Sequence, residues 1–188
     1  MQPVITYHRV PLNEYRVIID LPVAVRKRVI ALQQKLLIET GSAPTGVLPH
    51  ICLAVFRQAE EEEGKITDHI HRVALGAMPF KLHLKDLLTL NAEEIYIGAA
   101  ETQYLHYLVE QLKPIETMCA QGYFNELPRV PLLRHLPPLL FEQAKAIITD
   151  MNFKATFVAN GMLLLKQMPG FRSWQVLQHY TFLHMAGS

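Results

Sequence analysis

The sequence holds only two cysteines, Cys52 and Cys119, too few for a disulfide scaffold. One lies in an apolar, strand-like run and the other in a helix-like one, so a reduced intracellular protein is expected. There is no paired-cysteine zinc pattern, no glycine-rich phosphate loop and no nucleophile elbow, which removes the commonest signatures of metal-supported, nucleotide-hydrolysing and serine-hydrolase sites. A strongly basic surface is also missing. With 18 basic against 17 acidic residues, nothing suggests a DNA-coating protein, and any nucleic-acid contact is expected at a local pocket. No uninterrupted apolar run reaches membrane-spanning length, and Met1 to His8 has neither the basic start nor the apolar core of a signal peptide. A cytoplasmic protein without a membrane partner follows as the expectation. Its 188 residues are enough to bury a core without an oligomeric partner, so a monomer is expected.

What is present alternates between strand-like and helix-like segments. Residues 1–14 read as an irregular leader, 15–20 as a buried strand, and Pro22 as the first turn of a helix reaching about Glu39. In that helix Val25, Val29, Leu32, Leu36 and Leu37 form the apolar stripe, and Arg26, Lys27, Arg28, Gln33 and Lys35 cover much of the rest. Thr40 to Gly46 is a stop followed by a loop. Further along, helices are expected over about 61–75, 102–120 with a break at Pro114, and 142–151. Strands are expected over 80–84, 87–90, 94–100, 153–158, 162–166 and 174–182, with a loop over 122–128.

Leu48 to Phe56 is the segment on which the reading turns. Pro49 disfavours a helical start, so His50 is placed at the mouth of a strand, with Cys52 and Ala54 on its face and Ile51, Leu53 and Val55 on the other. The second half repeats the order: strand, long helix, loop, an apolar segment with a histidine, short helix, sheet. Tyr15 to His50 is 35 positions and Ile95 to His135 is 40, which suggests a coarse duplication within one domain over 1–188, with repeats at 15–90 and 93–182. Packed about a pseudo-twofold axis, such halves would bring His50 and His135 to one cleft. Two imidazoles there suit phosphoester chemistry without a metal, one taking a proton and the other giving one. The residue two positions after each would face the phosphate. Asp68-His69-Ile70-His71 is not expected to hold a metal, because residues two apart on a helix point in nearly opposite directions.

The run His50-Ile51-Cys52-Leu53 resembles the first signature of the 2H phosphoesterases, the 2′-5′ RNA ligase-like family, whose pattern is His, apolar, Ser or Thr, apolar. The resemblance in order of elements extends from Tyr15 to the closing Trp174-Gln175-Val176-Leu177 segment. It implies an α/β, more strictly α+β, bilobal fold: two pseudo-symmetric lobes with antiparallel-rich sheets around a central cleft and helices outside. It also implies metal-independent, cofactor-free opening of 2′,3′-cyclic phosphates on RNA ends or small nucleotides. On it, His50 and His135 are the catalytic pair, with Arg134-His135-Leu136-Pro137 as the second motif. Cys52 takes a phosphate-binding position, Arg134 or Arg57 supplies positive charge, and Phe56 is a candidate for stacking on a base. Cys52 and Pro137 stand where the family has hydroxyl donors. That departure favours an alternative, a catalytically reduced relative that binds a nucleotide or phosphorylated ligand without turnover. A third reading has an unrelated α/β domain with structural histidines far apart.

Overall fold

A computed structural model describes residues 11–41 and 48–185 of the chain. The expected leader therefore lies mostly outside the described residues, as does most of the loop after Gly41. The first strand, β1, covers Leu12–Asp20. It is followed by α1 at Val23–Thr40, which is entered from Pro22 and closed by Gly41 in the left-handed conformation at φ 67°, a geometry glycine adopts without a Cβ penalty. Next come β2 at His50–Ala59, a single 3₁₀ turn at Glu60–Glu62, and α2 at Glu63–Gly76. The rest is β3 Phe80–Leu90, β4 Glu94–Ala99, α3 Thr102–Leu112, β5 Gln121–Phe124, β6 Val130–Leu133, α4 Pro138–Thr149, β7 Lys154–Ala159, β8 Gly161–Gln167 and β9 Gln175–Thr181.

Several boundaries differ from expectation for local reasons. The two strands expected over 80–90 are one, bent at Asp86, whose φ of 61° marks a bulge against β4. Pro114 ends α3 two residues early and the chain continues as a 3₁₀ turn at Lys113–Thr117. The segment expected as loop over 122–128 begins with an edge strand, β5, paired to β2. Helix α4 starts at Pro138, four residues before Glu142, because proline at the first helical position gives up an N–H that has no partner there anyway.

Among the described residues all strand pairs are antiparallel and form two sheets, β5-β2-β1-β8-β9 and β6-β4-β3-β7. Neither sheet is made of one half of the sequence. Setting β5 aside, the orders correspond, with β2 matching β6, β1 matching β4, and the third strand of each sheet contributed by the other half. One continuous core joins them, including Tyr15, Val17, Leu53 and Phe56 from one sheet and Leu82, Ile95, Ile97 and Leu133 from the other. Helix α1 packs against α4 and β6, and α2 against α3 and β9. Among the described residues, no helix is long and apolar enough to cross a membrane.

The correspondence extends to single residues. The β1–β2 register runs Ile19↔Ile51, Ile18↔Cys52 and Val17↔Ala54, so Leu53 is an extra residue in a bulge. The β4–β6 register runs Ile97↔Val130, Tyr96↔Pro131 and Ile95↔Leu133, with Leu132 as the extra residue. Matching the two bulges superposes Ile51-Cys52-Leu53-Ala54 on Val130-Pro131-Leu132-Leu133. The residue before Ile51 is His50. The residue before Val130 is Arg129.

Candidate functional site

A cavity of about 520 Å³ opens between the start of β2 and the strand β6, lined by His50, Cys52, Arg129, Pro131, Arg134 and His135 among others. A shallower groove of about 600 Å³ between Asp86–Thr89 and the end of α4 contains neither histidine nor arginine. The first cavity therefore holds the candidate chemistry.

The bulge in β2 decides which side chains face this cavity. Beyond Leu53 the alternation resets, so Ala54 turns into the core with no exposed surface and Val55 joins His50 and Cys52 on the cavity wall. The same happens in β6, where Leu133 is buried and Arg134 faces the cavity beside Pro131. A bulge leaves carbonyls without ladder partners, and both are served by side-chain amides. Asn125 Nδ2 donates to the Cys52 carbonyl at 2.8 Å, while Gln33 Nε2 donates to the Pro131 and Leu132 carbonyls at 3.2 and 3.3 Å. Gln33, expected on the outer face of α1, is thus a buried residue behind β6.

His50 is 8 % exposed. The Leu48 carbonyl lies 2.8 Å from its Nδ1, which must donate to it, leaving Nε2 as the acceptor in the neutral ring. Burial, reinforced by the positive charges of Arg16 and Arg134 and opposed by the Leu48 carbonyl, pushes its pKa down to about 4. It is accordingly a neutral base at physiological pH. Between pH 6.5 and 4 the unfolded chain binds a proton that the native ring does not, so stability falls as pH drops through this window. The loss approaches about 3 kcal/mol at its lower end. Urea melts from pH 7 to pH 4 check this, and His50→Leu is expected to remove that part of the slope. Burial also raises the Cys52 thiol to about 11, against the pull of Arg16 and Arg134. It stays protonated, with its Sγ 3.7 Å from the Ala54 carbonyl.

Arg129 is 11 % exposed and already engaged. Its Nε and one terminal nitrogen hold the two oxygens of Glu94 at 2.8 Å each, the other terminal nitrogen donates to the Leu127 carbonyl at 2.8 Å, and the Tyr96 ring lies 5.2 Å away. Arg134 is half-exposed, with Nε 3.7 Å from the same Glu94. Arg16, on β1 directly across from Val55, lines the cavity as well.

Of the residues singled out from sequence, His50, Cys52, Arg134 and His135 share the cavity. His135 is not the counterpart of His50. It lies two residues beyond β6 in a left-handed turn at φ 55°, exposed at the cavity rim, and the bulge register pairs it with Phe56. Phe56 itself is 1 % exposed and stacks on Tyr15 at 5.4 Å, so no face is left for a base. Arg57 lies one step past Phe56, outside the cavity lining, tied to Glu14 at 3.4 Å. Arg16, Gln33, Tyr123, Asn125 and Arg129 were not singled out from sequence. For Arg129 a signal existed: Val17 to His50 is 33 positions and Ile95 to Arg129 is 34, closer than the 40 to His135.

The chain is similar in structure to a phosphoesterase at a TM-score of 0.68 and 18% identity, over 92% of this chain and 98% of that one. E. coli LigT in its ATP complex gives 0.68 at 17%, over 91% and 98%. A Thermus thermophilus protein gives 0.68 at 16%, over 90% and 98%. No family model matches the sequence, and no curated protein matches it.

Proposed function

We propose that this chain, which has the fold of the 2H phosphoesterases its sequence resembles, binds a nucleotide or other phosphorylated ligand in the cavity as an intact anion, without two-histidine turnover. The observation that carries this is Arg129 at the place equivalent to His50. Ring opening by paired imidazoles needs one group to take the proton of water and a second to give one to the departing oxygen. His50 has the free Nε2 of a base, but a guanidinium does not release its proton near neutrality. The flanking positions agree: Cys52 offers a weak donor and Pro131 none. Positive charge remains in Arg16 and Arg134, which suits a phosphate. E. coli LigT, of the same fold, has been crystallised with NADP+, 3′-AMP and phosphate, and a nucleotide is the ligand we assign by that likeness.

One observation favours a second reading. His135 reaches the same cavity from its rim, so it would be the acid partner of His50 in a metal-independent phosphodiesterase acting on 2′,3′-cyclic phosphates of RNA ends or small nucleotides. Hydrolysis of 2′,3′-cyclic AMP and of a short cyclic-phosphate-ended RNA in EDTA, by the native protein, His50→Ala and His135→Ala, separates the two. The binding reading predicts no turnover above background in any of the three. Native turnover lost in both variants supports the enzyme instead.

A further inference from the structure

Three guanidinium groups face the cavity, and they are not equivalent. Arg129 has three of its five N–H donors, one on each nitrogen, committed to Glu94 and Leu127, and Arg134 lies beside the same carboxylate. Arg16 is different. Among the described residues its only carboxylate within 4 Å is Glu14 at 3.7 Å, and Glu14 is shared with Arg57 at 3.4 Å. Its Nε is buried and has no hydrogen-bond partner among the described residues. A charged group with a buried, unsatisfied donor is costly to hold, and an anion beside the guanidinium offsets that cost. The guanidinium is nonetheless fixed, because its carbon sits 4.2 Å from the centre of the Trp174 ring, just ahead of β9. Arg16 also lies close enough to His50 and Cys52 to pull both titrations down, which locates its charge at the same end of the cavity.

We infer that Arg16 is the group that takes the ligand's phosphate through its terminal nitrogens, and that Trp174 is its positioning residue, holding the guanidinium flat against its ring. This rests on the binding reading above and adds to it which cation is used and how it is held. Planar, two-pronged donation suits phosphate oxygens better than the point charge of a lysine. Trp174 is the sole tryptophan, so tryptophan emission comes from this side chain alone.

The test is titration with inorganic phosphate and with 3′-AMP, followed by Trp174 emission and separately by calorimetry, on the folded native protein and on variants checked by thermal melting. The native protein should show a saturable emission change with the same midpoint by both methods. Arg16→Gln should weaken binding by about ten- to a hundredfold, and Arg16→Lys, which keeps the charge and is the milder change for folding, should recover only part of it. Trp174→Leu should weaken binding about threefold or more by calorimetry, with recovery in Trp174→Phe, which a merely structural role for the side chain would not require. Arg72→Gln, on α2 and outside the cavity lining, should bind as the native protein does. Native-like binding by Arg16→Gln or Arg16→Lys overturns the assignment of Arg16 while leaving the binding reading in place. Absence of binding by the native protein in calorimetry overturns the reading beneath it.

Discussion

Arg129→His combined with Pro131→Thr is expected to convert the protein into a cyclic phosphodiesterase that works in EDTA. The double change places an imidazole and a hydroxyl at the positions matching His50 and Cys52. Glu94, which now holds the Arg129 guanidinium with two 2.8 Å bonds, would face the new imidazole and favour its charged form, the state a general acid needs. A positioned acid contributes about 10²–10⁴ in rate and a phosphate-side donor about 10²–10³. Some shortfall is expected because Cys52 remains, so a gain of at least about a hundredfold over the native protein is the threshold. The assay is hydrolysis of 2′,3′-cyclic AMP, with His50→Ala introduced on the same background. A gain that disappears with His50 establishes Arg129 as the position equivalent to His50. A folded double variant with no gain, or one whose activity is indifferent to His50, contradicts the correspondence drawn from the two bulges.

Arg129→Ala, by contrast, is expected to cost stability rather than ligand binding. Arg129 and Glu94 are nearly buried, their side chains 11% and 13% exposed. Removing the arginine leaves a carboxylate out of water with only Arg134 at 3.7 Å to offset it among the described residues. Breaking such a pair costs about 3–5 kcal/mol, and the nearby Arg134 puts the loss near the lower figure. For a chain of this length that is a fall in melting temperature of about 6–12 °C. Binding of 3′-AMP should change by no more than about threefold, since each nitrogen of Arg129 is already engaged within the protein and its charge is paired with Glu94. The double replacement Arg129→Leu with Glu94→Leu should recover most of the stability, because a buried ion pair exchanged for packed apolar groups is near neutral. Thermal melts of Arg129→Leu, Glu94→Leu and the double variant give the coupling directly. A stable Arg129→Ala that no longer binds would assign Arg129 to the ligand instead.

The elements were legible where periodicity was strong. The stripe of Val25, Val29 and Leu36 marked α1, and the extended bias before Pro49 placed His50 at a strand mouth. The site was less legible because each key strand carries an extra residue. A bulge moves every later side chain to the opposite face, so strict alternation put Ala54 in the cleft and Val55 in the core, the reverse of what is found. The position that matches His50 in the other sheet is hidden by chemistry rather than geometry. Looking for a histidine selects His135, although the strand position is held by Arg129, and the hydrogen-bonded register, with the 34-residue spacing from Ile95, distinguishes them. Phe56 illustrates the remaining difficulty: an aromatic near a cleft residue in sequence can belong wholly to the core, and its partner Tyr15 is 41 positions away.

The central claim, an intact phosphorylated ligand held without two-histidine turnover, is tested most directly by the ³¹P spectrum of 2′,3′-cyclic AMP with near-stoichiometric native protein in EDTA. Saturable broadening or displacement of the cyclic phosphate resonance, with no monophosphate signal growing in above the protein-free rate, is the predicted result. Steady conversion to a 2′- or 3′-monophosphate that stops in His135→Ala would contradict it.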